Sequence, residues 1–122
     1  MMGRPAPTVE SGSDRGAATV IAAAVACVML GALTLLMAQL MISRARQVAQ
    51  TAADMASLAA AAHALEGPAT ACGAARRVAT AQGARLLICQ LVGPVAQVEA
   101  VVRLPGIAGD LTGIRARARA GP

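Results

Sequence analysis

Residues 17–43 read AATVIAAAVACVMLGALTLLMAQLMIS, a run from Ala17 to Ser43 without one charged side chain. Asp14 and Arg15 close it on one side, Arg44 and Arg46 on the other. A bilayer core about 30 Å thick needs roughly 20 apolar residues at about 1.5 Å rise each, so the run spans with some to spare. Val20, Ile21, Val25, Val28, Met29, Leu30, Leu33, Leu35, Leu36, Met37, Leu40, Met41 and Ile42 supply the bulk. Thr19, Thr34, Gln39 and Ser43 are its polar members, and a hydroxyl in lipid can bond back to the preceding turn of helix. A helix apolar all round must be wrapped by protein or by lipid, and a 122-residue chain has too little left to wrap it. A cleaved secretory signal has an apolar region of about 7–15 residues and a small-x-small cleavage site. This run is longer and exits through Met41-Ile42-Ser43-Arg44-Ala45-Arg46, so it reads as a retained anchor. Its boundary residues are Arg15 and Gly16 at one end and Arg44 and Arg46 at the other.

Composition agrees. The hydrophobic share is 57%, the charged share 14% and the mean hydropathy +0.60, values of the membrane class. What lies outside the span suffices for one small domain. The chain has no Phe, Tyr or Trp. That removes the aromatic belts of membrane interfaces and the stacking platforms of single-strand nucleic-acid binders. Any core is built of Ala, Val, Leu and Ile, and is thin. The net charge of +5 comes from eleven arginines spread along the chain, the densest group being Arg115, Arg117 and Arg119. That distribution suits a solvated face or a lipid-headgroup contact better than a nucleic-acid footprint.

Outward from the span, residues 1–13 carry Gly3, Pro5, Pro7, Ser11, Gly12 and Ser13 without periodicity, which predicts a disordered tail. Ser13 or Asp14 is the expected N-cap of the helix that follows. Beyond the span, Val48, Ala52, Met55, Ala59, Ala62 and Leu65 recur at steps of three and four, an apolar stripe at helical spacing. The membrane helix is therefore expected to continue through the Ala-rich segment to residue 66, where Gly67-Pro68 ends it. A second helix fits 69–82, with Cys72, Ala75, Val78 and Ala79 inside, Arg76 and Arg77 outside, and Gly83 closing it. Then the period changes to two. Arg85–Gln90 reads as a strand, Gly93-Pro94 as a turn, and Val98, Ala100, Val102 and Leu104 alternate with Glu99, Val101 and Arg103. Pro105-Gly106 marks another turn. Ile114, Ala116, Ala118 and Ala120 alternate with Arg115, Arg117 and Arg119, the pattern of an edge strand guarded by charge, with a frayed basic tail as the other reading. The expected fold is α+β: a disordered tail (1–13), a transmembrane and juxtamembrane helix (14–66), and a small domain of one helix and about three antiparallel strands (67–122).

Cys27 lies inside the span and reads as a small apolar residue. Cys72 and Cys89 flank the segment from the second helix to the first strand. Outside the cytoplasm they can pair, stapling helix to strand by about 3 kcal/mol on the chain-entropy account; two unrelated thiols are the other reading. One histidine, His63, and no CxxC give no zinc site, and no metal or other cofactor is expected. There is no phosphate-binding glycine loop, no HExxH and no serine in a nucleophile-elbow setting. The carboxylates Asp54, Glu66, Glu99 and Asp110 are scattered, and catalysis is not expected.

Two segments carry a resemblance: Asp14-Arg15-Gly16-Ala17-Ala18-Thr19-Val20 leading into the span, and Arg46-Gln47-Val48-Ala49-Gln50-Thr51-Ala52-Ala53-Asp54-Met55-Ala56-Ser57-Leu58-Ala59-Ala60-Ala61 after it. They resemble the TadE/TadG-like proteins of Flp (tight adherence) pilus-assembly systems. Cys72, Gly83-Ala84-Arg85-Leu86 with Cys89, and Ala118-Arg119-Ala120-Gly121-Pro122 extend the likeness over residues 14–122, to a short TadE-like family of high-GC bacteria. The resemblance implies a membrane-anchored, non-enzymatic, pilin-like component of pilus assembly or an associated secretion apparatus. It implies partners in the membrane, among assembly or secretion proteins, and possibly a second copy. Gln50, Asp54, Met55 and Leu58 are then candidates for a helix interface, with a solvated acid as the other reading of Asp54. Processed pilins carry Glu at the fifth position after the Gly cut by prepilin peptidase. Counted from Gly16, that position is Ile21, which favours an unprocessed TadG-type anchor.

The resemblance and the Cys72/Cys89 pair imply a single-pass protein of the cytoplasmic membrane, N-terminus in and C-terminal domain out. The unopposed Arg44 and Arg46 speak for the reverse on positive-inside counting. Two alternatives follow from the residues. One is a small single-pass adaptor that oligomerises through its Ala-rich helix. The other is a basic cytoplasmic module binding anionic lipid or nucleic acid.

Overall fold

The computed structural model describes residues 2–6, 11–104 and 113–122, with backbone alone for 11–13. The expected turn at Pro105-Gly106 and Asp110 lie outside them. The architecture is α+β: a long apolar N-terminal helix, a second helix and a three-stranded antiparallel sheet. The chain divides into two compact units, Met1–Ala38 and Gln39–Pro122.

Helix α1 runs Ser11–Ala62. It starts ahead of the expected cap, so Ser11–Ser13 join the helix rather than the tail. Asp14 sits in its first turn, where a carboxylate meets the positive end of the helix dipole. The segment from Val20 to Ile42 exposes its large apolar side chains on every side, and α1 holds one stretch long and apolar enough to cross a membrane. Thr19 Oγ1 donates to the Gly16 carbonyl and Thr34 Oγ1 to the Gly31 carbonyl, both at 2.8 Å, so these hydroxyls are satisfied within the helix.

The helix ends at Ala62, four residues earlier than expected. From there the bonding tightens: the His63 N–H donates to Ala60 O (3.2 Å) and the Glu66 N–H to His63 O (3.0 Å). This makes a single 3₁₀ turn over Ala64–Glu66. Gly67 then adopts φ +102°, a conformation that side chains with a Cβ resist, and Pro68 opens helix α2 (Pro68–Ala81) at the position where its missing N–H costs nothing. α2 buries Ala71, Ala74, Ala75 and Ala79 and exposes Arg76 and Arg77.

Strands β1 (Arg85–Val92), β2 (Val95–Arg103) and β3 (Gly113–Ala120) pair in the order β1-β2-β3, all antiparallel. β1 and β2 form a hairpin over Gly93-Pro94, where φ +60° at Gly93 suits the two-residue turns that match strand twist. A bulge interrupts β1. Leu86 pairs with Ala100 and Ile88 with Glu99, leaving Leu87 as the extra residue. Strict alternation would put Leu86 and Cys89 on opposite faces; the extra residue puts both against the core.

That core is of one kind. Apart from Val98, every buried apolar residue among the described ones is alanine, and Ser57 is the largest fully buried side chain. Ala49, Ala52, Ala53, Ala56 and Ala60 of α1 meet Ala71, Ala75 and Ala79 of α2 and Ala96, Val98, Ala100 and Ala116 of the sheet. The expected inner stripe of α1 is therefore corrected. Of Val48, Ala52, Met55, Ala59, Ala62 and Leu65, only Ala52 is buried. Met55 and Leu65 are exposed and Val48 is half-buried, because close packing selects the smallest side chains, not the greasiest.

Candidate functional site

Three features of the unit Gln39–Pro122 carry chemistry or contact surface. The first is a covalent staple. Cys72 on α2 and Cys89 on β1 form a disulfide with Cα atoms 5.8 Å apart, closing a sequence separation of 17. Helical phase brings Cys72 to the sheet-facing side of α2, and the bulge brings Cys89 to the core side of β1. Cys27, in the apolar part of α1, is a free thiol and exposed.

The second is the side of α1 that its own domain leaves uncovered. At about 100° per residue, Ala49, Ala53, Ala56 and Ala60 point one way and Met55 and Leu58 the other. Met55 is 47% and Leu58 58% exposed, large apolar surfaces for a segment beyond the charge-free run. Gln50 Nε2 donates to Asp54 Oδ1 at 3.1 Å, an i,i+4 pair beside them, and both residues are exposed. Ser57 Oγ donates to the Asp54 carbonyl at 2.8 Å. All four interface candidates lie on the uncovered part of the helix surface. The boundary residues Arg15, Gly16, Arg44 and Arg46 are exposed. His63 Nδ1 lies 3.0 Å from Glu66 Oε1, a local contact at the end of α1.

The third was not foreseen. Ala96, Val98 and Ala100 of β2 face the helices, so Gln97, Glu99 and Val101 belong to the opposite face, yet Glu99 is only 4% exposed. It is held in a row that the register builds: Ile88 and Arg117 flank Glu99, and Gln90 and Arg119 flank Gln97. Arg117 Nε donates to Glu99 Oε2 at 2.8 Å, and Arg115 Nη1 lies 3.7 Å from Glu99 Oε1. The arginines remain mostly in solvent, with side chains 69% (Arg115) and 82% (Arg117) exposed. A shallow groove crosses these rows, lined by Ile88, Gln90, Gln97, Glu99, Arg117 and Arg119. Along the sequence the carboxylates lie scattered. The signal was the shared period of two in 98–104 and 114–120, but pairing Glu99 with Arg117 needs a register that neither strand states alone.

The arrangement offers no pair of acids, no nucleophile beside a base, and no group of three metal-ligating side chains among the described residues. What it offers is a span-capable helix, an uncovered helix face and a basic sheet face. Compared with family models, curated proteins and solved structures, the chain matches none.

Proposed function

We propose that this chain is a membrane-anchored, non-enzymatic, pilin-like accessory component of Flp-type pilus assembly or of an associated secretion apparatus. Its juxtamembrane helix face is the assembly contact. The observation that carries the reading is the two-sidedness of α1 beyond the span. One side is sealed by alanines against its own domain, and the other keeps Met55 and Leu58 exposed beside the Gln50–Asp54 pair. A globular domain of the same size gains nothing by leaving such residues uncovered, whereas a helix that packs against neighbours in an assembly does. The TadE/TadG-like run Arg46–Ala61 coincides with this segment. The Cys72–Cys89 disulfide supports a domain outside the cytoplasm, since such bonds persist in oxidising compartments.

The test is cross-linking in intact cells. A Thr51→Cys substitution, at an exposed position on the same side of α1 as Met55 and Leu58, in a Cys27→Ala background leaves a single reactive thiol while Cys72 and Cys89 stay joined. Photocross-links formed through a maleimide–benzophenone reagent on that thiol, to proteins of a pilus-assembly or secretion apparatus, are the expected result. Cross-links to a second copy alone would favour a self-associating adaptor, and the absence of any product would refute the contact.

A further inference from the structure

We propose that the open edge of β3 accepts an extended acidic segment of a partner protein as a fourth strand. Carboxylates at alternate positions of that segment pair with Arg115, Arg117 and Arg119. β3 is bonded to β2 on one side, and among the described residues no strand lies on its other side. Backbone groups along such an edge are a template for another chain, and what the edge admits is decided by its side chains.

Those side chains are selective. Arg115, Arg117 and Arg119 project from one face while Ala116 and Ala118 pack toward the core. Guanidiniums two residues apart on a strand repeat at about 7 Å, the repeat of same-face side chains on any facing strand. The face is also short of acid. Among the described residues, Glu99 is the only carboxylate paired with these arginines, and it serves Arg115 and Arg117 together. Arg119 lies opposite Gln97, and among the described residues it has no acidic partner. Arg117 engages Glu99 through Nε, and its terminal nitrogens retain donor capacity for a second carboxylate.

The same charges exclude other occupants. A second β3 would set arginine against arginine, and a basic strand would be repelled outright, so the edge is blocked to self-pairing yet matched to alternating acid. The inference holds whichever apparatus the chain serves, since it rests on the sheet alone.

The experiment uses the full chain in nanodiscs of zwitterionic lipid and three fluorescent nine-residue peptides. One alternates Glu and Thr, one has the same composition with the glutamates contiguous, and one alternates Lys and Thr. The alternating acidic peptide is expected to bind at least tenfold more tightly than the contiguous one, with no binding of the basic one, and to slow hydrogen exchange along β3. Arg119→Glu, a position outside the Glu99 pairs, should weaken binding at least tenfold while leaving exchange elsewhere unchanged. Equal binding of the two acidic peptides would reduce the site to a diffuse anion patch and overturn strand addition. So would absent binding, or binding without slowed exchange in β3.

Discussion

Reducing the Cys72–Cys89 disulfide should remove a large part of the stability of Gln39–Pro122 while leaving its fold recognisable. Opening a loop of 17 residues returns chain entropy to the unfolded state worth about 3 kcal/mol. A domain of this size has a total of roughly 5–10 kcal/mol. Here the rest of that stability must come from a core of alanines and Val98, each methyl contributing about 0.8 kcal/mol when buried. The chain has no aromatic residue to report by fluorescence, so hydrogen exchange by mass spectrometry, on the full chain in nanodiscs, is the suitable assay. Amides of α2 and β1 that exchange only through global opening should exchange about 100-fold faster after reduction, because every 1.4 kcal/mol is a factor of ten. The Cys72→Ala/Cys89→Ala variant should match the reduced protein, and both should keep the oxidised pattern of protection. Rates within threefold of the oxidised protein would refute the reasoning. That result would mean the unfolded ensemble already holds α2 beside β1, or that the alanine contacts are far stronger than their area implies.

Enlarging the core should be as damaging as removing the staple: Ala56→Leu, at a fully buried position, is expected to cost about 1–3 kcal/mol by overpacking, read as lowered protection across α2 and the sheet. Glu99→Ala should cost about 1 kcal/mol, since Arg115 and Arg117 are mostly exposed and recover water when the carboxylate goes; a urea titration followed by exchange measures it, and a cost above 3 kcal/mol would contradict this. Leu58→Ser should change domain stability by less than about 0.5 kcal/mol, because Leu58 is largely solvated, and yet abolish cross-linking from a cysteine introduced at Thr51.

Much of the fold was legible because its signals are long or strictly periodic. The charge-free run Ala17–Ser43 needed no partner to be read, and the alternation in 114–120 located β3. The break at Gly67-Pro68 and the end of α2 before Gly83 rest on local backbone chemistry that a sequence states directly. What escaped was relational. The expected inner stripe of α1, Val48, Ala52, Met55, Ala59, Ala62 and Leu65, lies to one side of the buried one, and alanine, which appears on every side of that helix, offers no contrast from which to choose a side. The bulge at Leu87 leaves no composition signature in Arg85–Gln90. The burial of Glu99 depends on which arginine the register sets opposite, a property of two strands jointly. Of the candidate surfaces, the Cys72–Cys89 pair was visible from type and spacing, whereas the basic sheet face appears only when β2 and β3 are laid side by side.

The alanine interior has a consequence for how this sequence can drift. Most cores wander through aliphatic substitutions, a Leu traded for a Met and a Val for an Ile, because volume can be exchanged between neighbours. Where nearly every buried position already holds a single methyl, there is no volume to exchange. Substitutions tolerated at Ala49, Ala53, Ala56, Ala75 and Ala79, all 0% exposed, should be confined to glycine and serine, and Ser57 already occupies that narrow range. Relatives should therefore diverge freely in the span and along the exposed side of α1, while this set of helix positions stays small.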